Sequence, residues 1–412
     1  MKMLQISKKQ LRHNILVLFT AGFLFWCSMG SLLPTLPLYM QTVGANRQQI
    51  GIVMGCFAIG ILLSRRWMGK MSDSYGRKIV LLIGTSVVAI SPLCYLAVSS
   101  LPLLMLIRTF HGVSIAAFAT AYLALVVDLT HVSRHGEAIG YMSLVNPLGM
   151  AVGPAVGAYL QAEMGYSALF IASSFFGLLA LLCIVSVIDP PTHKQPTTVK
   201  QKGFWKTLAS PRVKIPFLVM FFLGVNFGTL HTFISLFIKD TGVDLNAGLF
   251  YVVGAIASFS FRLFGGRASD QFGRGLLITV SLAVYGLGMF FIWQANDINT
   301  FLWGAFLEGA GYGTAVPIIT AMMSDRSRAY ERGQIFAVCI MGLDLGIAIA
   351  GPTIGYIAQQ YGYRNVFALA TLLTLCAILV FLAFSSKNIQ NSISFALGKG
   401  RDFYALNNNP PS

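Results

Sequence analysis

The chain is written as a succession of apolar runs of about 20 residues separated by short polar islands. A run of that length crosses the hydrocarbon core of a bilayer as a helix, because a spanning segment must satisfy its backbone hydrogen bonds internally. Only 10% of the 412 residues are charged, against roughly 25% in ordinary soluble domains, which excludes a cytosolic enzyme. With 56% hydrophobic residues the chain is not disordered either. A nucleic-acid binder would gather its lysines and arginines on one soluble face; here the net charge of +15 is spread through the islands. The expected partner is therefore the lipid bilayer, with no nucleic acid. Cys27, Cys56, Cys94, Cys183, Cys339 and Cys376 are scattered without a C-x-x-C pair. They read as small buried thiols, with no metal site and no cofactor.

The fold class expected is an all-α membrane protein of twelve transmembrane helices in two six-helix bundles. The spans fall at about 15–38, 48–68, 79–98, 101–126, 137–160, 166–188, 214–238, 247–265, 276–294, 299–323, 333–358 and 363–385. The first run follows Lys8, Lys9 and Arg12 like a signal peptide, but no small-residue cleavage signal closes it, so it reads as a retained span. The domains are an N-terminal bundle (1–188), a linker (189–213) rich in Pro, Thr and Lys, a C-terminal bundle (214–386) and a tail (387–412) without apolar period. An even number of spans puts both termini on one side. That side carries 25 of the 29 basic residues, including Arg134, the linker's Lys200 and Lys202, and the group 262–274; the opposite side holds Arg47, Lys239 and Arg364. Positive charge stays inside, so termini and linker are expected in the cytoplasm.

An internal repeat runs through the chain at a constant offset of 197 residues. Gly69, Asp73, Gly76 and Arg77 map onto Gly266, Asp270, Gly273 and Arg274; Gly112, Asp128, Gly136 and Gly149 map onto Gly309, Asp325, Gly333 and Gly346. Gly165, Tyr166 and Phe170 likewise map onto Gly362, Tyr363 and Phe367. Agreement over nearly the whole bundle implies duplication.

These residues resemble the major facilitator superfamily. The loop Gly69-Lys-Met-Ser-Asp73-Ser-Tyr-Gly76-Arg77 looks like the family's signature, repeated at Gly266 to Arg274, and Arg108 with Gly112 is similar to its span-four motif. Gly140, Gly149, Gly153, Pro154 and Gly157 match the spacing of the family's antiporter motif, so the resemblance is nearest the twelve-span drug:proton antiporter group. Physically, Gly76 suits a sharp turn, Asp73 could accept hydrogen bonds from a helix N-terminus, and Arg77 can pair with Asp128 as a gating latch. The alternative is a plain turn. Gly149, Gly153 and Gly157 lie at i, i+4 and i+8, where small residues let another backbone approach, and Pro154 bends the helix. Helix packing without directional consequence remains open. The glycines of 309–313 lie in an apolar run with no preceding strand, which argues against a dinucleotide site.

Charges at bilayer depth are costly and therefore candidate functional groups. Arg108 lies about 10 Å into span four and shares a face with His111; the family resemblance links such an arginine to proton coupling. A permanent cation does not titrate, so it would tune an acid or hold an anionic group. Glu308 is 197 residues from His111, and Asp344 lies mid-span eleven. A carboxyl in low dielectric favours its neutral form and can carry a proton; a structural pair with Arg108 or with helix hydroxyls is the alternative. Span one offers Ser28, Ser31 and Thr35 but no acid, so coupling rests on the C-terminal bundle. His231, near the outer end of span seven, is a further proton site or a solvated residue. The function expected is proton-coupled multidrug efflux of small amphipathic compounds by a monomer in a bacterial inner membrane. The alternatives are a metabolite importer or facilitator and a non-transporting sensor. An enzyme is not expected, since no nucleophile–base set appears.

Overall fold

The computed structural model describes residues 8–130, 135–187, 204–328 and 331–406; Arg134, most of the 189–213 linker with Lys200 and Lys202, and residues 407–412 lie outside the described residues. The first part of the chain forms α1 (Lys8–Ser31), α2 (Leu36–Thr42), α3 (Arg47–Tyr75), α4 (Arg77–Ala97), α5 (Leu101–Leu129), α6 (His135–Met142) and α7 (Val145–Ser186). The second forms α8 (Phe204–Leu208), α9 (Pro211–Thr241), α10 (Ala247–Phe272), α11 (Arg274–Gln294), α12 (Ile298–Asp325), α13 (Arg332–Tyr361), α14 (Tyr363–Phe384) and α15 (Ile389–Ala396). Ten stretches among the described residues are long and apolar enough to cross a membrane. One of the ten, Ala138–Ser186, holds two of the expected spans, and α12, with its glycines and Glu308, is not among the ten.

Local chemistry sets the boundaries. Asn46 and Gln49 cap α3 reciprocally, each side chain accepting the other's backbone N–H at 2.9 Å. Asp297 caps α12; the Thr300 hydroxyl and backbone N–H hold its carboxyl below the usual range. The tight corners use glycine at positive φ, at Gly76 (101°) and Gly165 (81°) and again 197 residues on at Gly273 (92°) and Gly362 (84°). A Cβ disfavours that region, so the duplication preserves glycine at its turns. Gly165 interrupts the helical geometry of α7, dividing it near the expected end of span five.

Contacts divide the chain into two compact units, Met1–Pro196 with Asn246–Val252, and Thr197–Leu245 with Val253–Ser412. In unit 1 the core stacks Phe25 on Phe118 and Phe118 on Tyr122, whose hydroxyl donates to Leu18 O at 2.9 Å. Glycines let helices meet backbone to backbone. A Cβ on Gly112 of α5 would collide with Phe57 O of α3, and one on Gly309 of α12 would collide with Gly254 O of α10, both partners again 197 residues apart. At another crossing the duplication exchanges the small residue. Gly177 of α7 lies against Ala89 of α4, whereas in unit 2 Gly286 of α11 lies against Thr374 of α14. Large apolar side chains such as Leu106, Phe264, Trp303 and Leu379 are exposed, the surface a bilayer would cover.

Two expectations about the polar ends are corrected. The tail is not without apolar period: α15 is capped by Asn388, which accepts from Asn391 N at 2.8 Å, and it buries Phe395. Behind it Arg326, fully buried, donates from Nε to Asp402 Oδ2 at 2.7 Å and from Nη2 to Ser385 O at 3.0 Å, with its guanidinium over Tyr404. The apolar period is only one eight-residue helix, and its charged partner lies far upstream, so neither announces itself locally. Nor are all cysteines buried: Cys27 and Cys339 are, while Cys376 is exposed on α14.

Candidate functional site

The signature loops fold into one arrangement made twice. In unit 1 the Arg77 guanidinium contacts Asp73 at 2.7 Å, Ser72 Oγ at 2.7 Å and Asp128 Oδ2 at 3.4 Å. In unit 2 Arg274 contacts Asp270 at 2.6 Å, Ser269 Oγ at 2.5 Å and Asp325 Oδ2 at 3.1 Å. Each arginine, set by the glycine corner before it, ties the end of one helix to the end of another within its own unit. Asp73 lies in the last turn of α3 and takes the guanidinium, not a helix N-terminus as expected; the N-cap of α4 is Gly76. Gly69 and Gly266 have open space where a Cβ would stand.

The motif glycines of span five separate. A Cβ on Gly149 or Gly157 would collide with Trp26 or Ser31 of α1, and one on Gly153 would stand 2.5 Å from Cys27 O. Pro154 Cδ closes the same seam against Gly30. Gly140 does not belong to it: it lies in α6, exposed, with nothing near its missing Cβ. In unit 2 the matching seam is α13 on α9, where Gly342 and Gly346 meet the carbonyls of Phe217 and Phe221.

Arg108 is 5% exposed, with its guanidinium 4.4 Å from the centroid of Phe57 and its Nε without a hydrogen-bond partner among the described residues. His111, one turn on and fully buried, shares a hydrogen bond of 3.3 Å between Nδ1 and the Tyr95 hydroxyl and meets Phe57 edge-on at 5.6 Å. In unit 2 Glu308 is 8% exposed and faces Gly254, where a Cβ would stand 3.6 Å from Oε2. It forms no ion pair among the described residues. Tyr312, one turn along α12, stacks on Phe227 at 4.9 Å; Phe227 stacks on His231 at 3.8 Å, and Tyr285 lies 6.2 Å from Tyr312. Asp344 is 5% exposed in the middle of α13.

The sequence reading missed Tyr312, Tyr285 and Arg262. Arg262, within the basic group 262–274, lies in α10, which runs to Phe272, and donates to Gly313 O of α12 at 3.3 Å. The aromatic residues carried no signal against a background of 12% aromatics. His231 is also displaced from its expected place: it lies ten residues inside the end of α9, bonded to Phe227 O at 3.0 Å. No three His, Cys, Asp or Glu side chains among the described residues could hold a metal ion.

Apolar spans packed helix against helix, with Arg108, Glu308 and Asp344 buried among them, make this a multi-pass integral membrane protein. The chain belongs to the Major Facilitator Superfamily, whose profile matches residues 18–274 and 247–395. It is 24% identical over 382 residues to Multidrug resistance protein 1 of Bacillus subtilis, covering 90% of this chain and 96% of that one. It is 24% identical over 356 residues to the quinolone resistance protein NorA of Staphylococcus aureus, covering 83% and 90%. Among solved structures it resembles the nucleoside transporter NupG (TM-score 0.72, 16% identity, covering 90% and 98%). It also resembles a bacterial homologue of the human lysosomal transporter Spinster (TM-score 0.74, 14% identity, covering 98% and 100%).

Proposed function

We propose that the protein exports small amphipathic compounds in exchange for protons, as a monomer in a bacterial inner membrane with both termini in the cytoplasm. The observation that carries this is Glu308, buried one helical turn from the stacked Tyr312 and in no ion pair among the described residues. A buried carboxyl without a partner is stable when neutral, so a proton must arrive before it is shut away and leave when it is opened to water. Stacked Phe227, Tyr312 and His231 offer a flat apolar surface for cargo, and the drug-resistance relatives favour export. Alternating access would then expose Glu308 to each side in turn. In proteoliposomes, efflux of an amphipathic fluorescent dye is expected to accelerate when an opposing pH gradient is imposed. Equal rates with and without the gradient would defeat proton exchange.

Arg108 favours a second function, uptake or facilitation of an anionic metabolite, because its buried Nε is available to an acceptor. Transport of an organic anion that is lost in Arg108→Gln and insensitive to pH would select it.

The paired corners set the gating proposal. Arg77–Asp128 and Arg274–Asp325 are partly exposed pairs, each worth no more than about 1 kcal/mol, a small term beside the packing of the helices they join. The same energy moves a two-state equilibrium several-fold. Asp128→Asn is expected to leave thermal stability nearly unchanged while altering the labelling rate of a cysteine placed at Tyr75 several-fold. An unchanged labelling rate would count against a latch.

A further inference from the structure

Unit 2 contains a cavity of about 550 Å³ whose lining includes none of the residues discussed for transport. Its walls are the start of α9, the start of α13 and the chain after α15. Lys206, Arg212 and Lys387 line it, against a single acid, Glu331, which sits 3.8 Å from Arg212. Neither α9 nor α13 has a side-chain cap on its first turn, so both positive helix ends face this part of the structure without a capping carboxylate or hydroxyl. Gln334 donates to Thr207 Oγ1 at 2.9 Å, fixing the floor. The outer wall is held by the Arg326–Asp402 pair and by Leu406 N donating to Asp325 O at 2.9 Å. The cavity is thus built, with an excess of positive charge and two positive helix ends.

We infer that this cavity binds the phosphate-bearing headgroup of an anionic phospholipid. Three cations, with guanidinium geometry among them, suit a phosphodiester. The lipid source follows from position: the apolar spans of α9 and α13 begin at the cavity rim, so a headgroup seated there leaves its acyl chains along those helices. Trp205, 78% exposed beside Lys206, is the residue type that settles at the headgroup level. The bound headgroup bridges the two helix starts and the docked tail, which makes the lipid a clamp on this end of unit 2.

The test uses the purified full-length chain in neutral detergent, with phosphatidylglycerol, phosphatidylcholine or inorganic phosphate as probe, read by native mass spectrometry and thermal shift. Phosphatidylglycerol is expected to bind and raise Tm, and phosphatidylcholine is not. In Lys206→Gln/Lys387→Gln its affinity falls about thirtyfold (~2 kcal/mol at about 1 kcal/mol per basic side chain). Both lysines are exposed, so the variant keeps its fold, and an unchanged Tm without lipid verifies that. Equal phosphatidylglycerol binding by parent and variant overturns the assignment. So does stabilisation by inorganic phosphate equal to that by lipid, which would make the site one for free anions, and so does the absence of any stabilisation.

Discussion

Glu308→Gln is expected to abolish uphill transport while leaving the cargo bound. With one pH unit across the membrane, one proton per cargo molecule supplies 1.36 kcal/mol and sustains a concentration ratio of about tenfold for an uncharged compound. Glutamine has the shape of the neutral acid but exchanges no proton, so the ratio should fall to about one. Exchange of labelled for unlabelled cargo should continue, because Phe227, Tyr312 and His231 are untouched. Glu308→Asp should retain part of the gradient. The measurement is the steady-state dye ratio across proteoliposomes at fixed pH difference. A tenfold ratio in the Gln variant would exclude Glu308 as carrier and turn attention to Asp344, the other buried acid among the described residues of unit 2. The variant should fold as well as the parent, since it removes a buried carboxyl that has no ion-pair partner among the described residues.

Gly153→Ala and Gly140→Ala should behave oppositely, although both glycines belong to one motif. A methyl on Gly153 would stand 2.5 Å from Cys27 O and 3.0 Å from Ser31 N, and a backbone cannot step aside as a flexible side chain does. Either α7 separates from α1 or the seam distorts; overpacking of this kind costs about 1–3 kcal/mol. Gly140 has nothing within reach of its missing methyl, so alanine there should be neutral or gain up to about 1 kcal/mol of helix propensity. Thermal denaturation in detergent checks both. A Gly153→Ala protein as stable as Gly140→Ala would mean the seam is looser than these contacts imply. If transport falls more steeply than stability, the seam also takes part in movement.

The spans and the duplication were open to sequence reasoning because both rest on local physics. A run of about 20 apolar residues is long enough to cross a bilayer wherever it occurs. The offset of 197 residues recurs in the structure at positive-φ corners, helix crossings and the Arg–Ser–Asp corners alike. The candidate site was half legible. A buried charge is conspicuous in an apolar run, so Arg108, Glu308 and Asp344 stood out. Their neighbours did not, because the aromatic residues around Tyr312 look like every other aromatic in a membrane chain.

Sequence by itself determined the material of this protein: helices, their approximate lengths, the two-fold repeat and the few charges too costly to be incidental. Tertiary structure decided the partners. It assigned Gly149, Gly153 and Gly157 to a seam with α1, left Gly140 out of it, bonded Arg262 of α10 to a carbonyl of α12, and buried Arg326 as the anchor of a tail that reads as featureless. The physical reason is common to all of these. A helix carries its own hydrogen bonds and its own apolar face, so its existence is written locally. Which helix meets that face depends on contacts between residues far apart along the chain, and no local pattern records them.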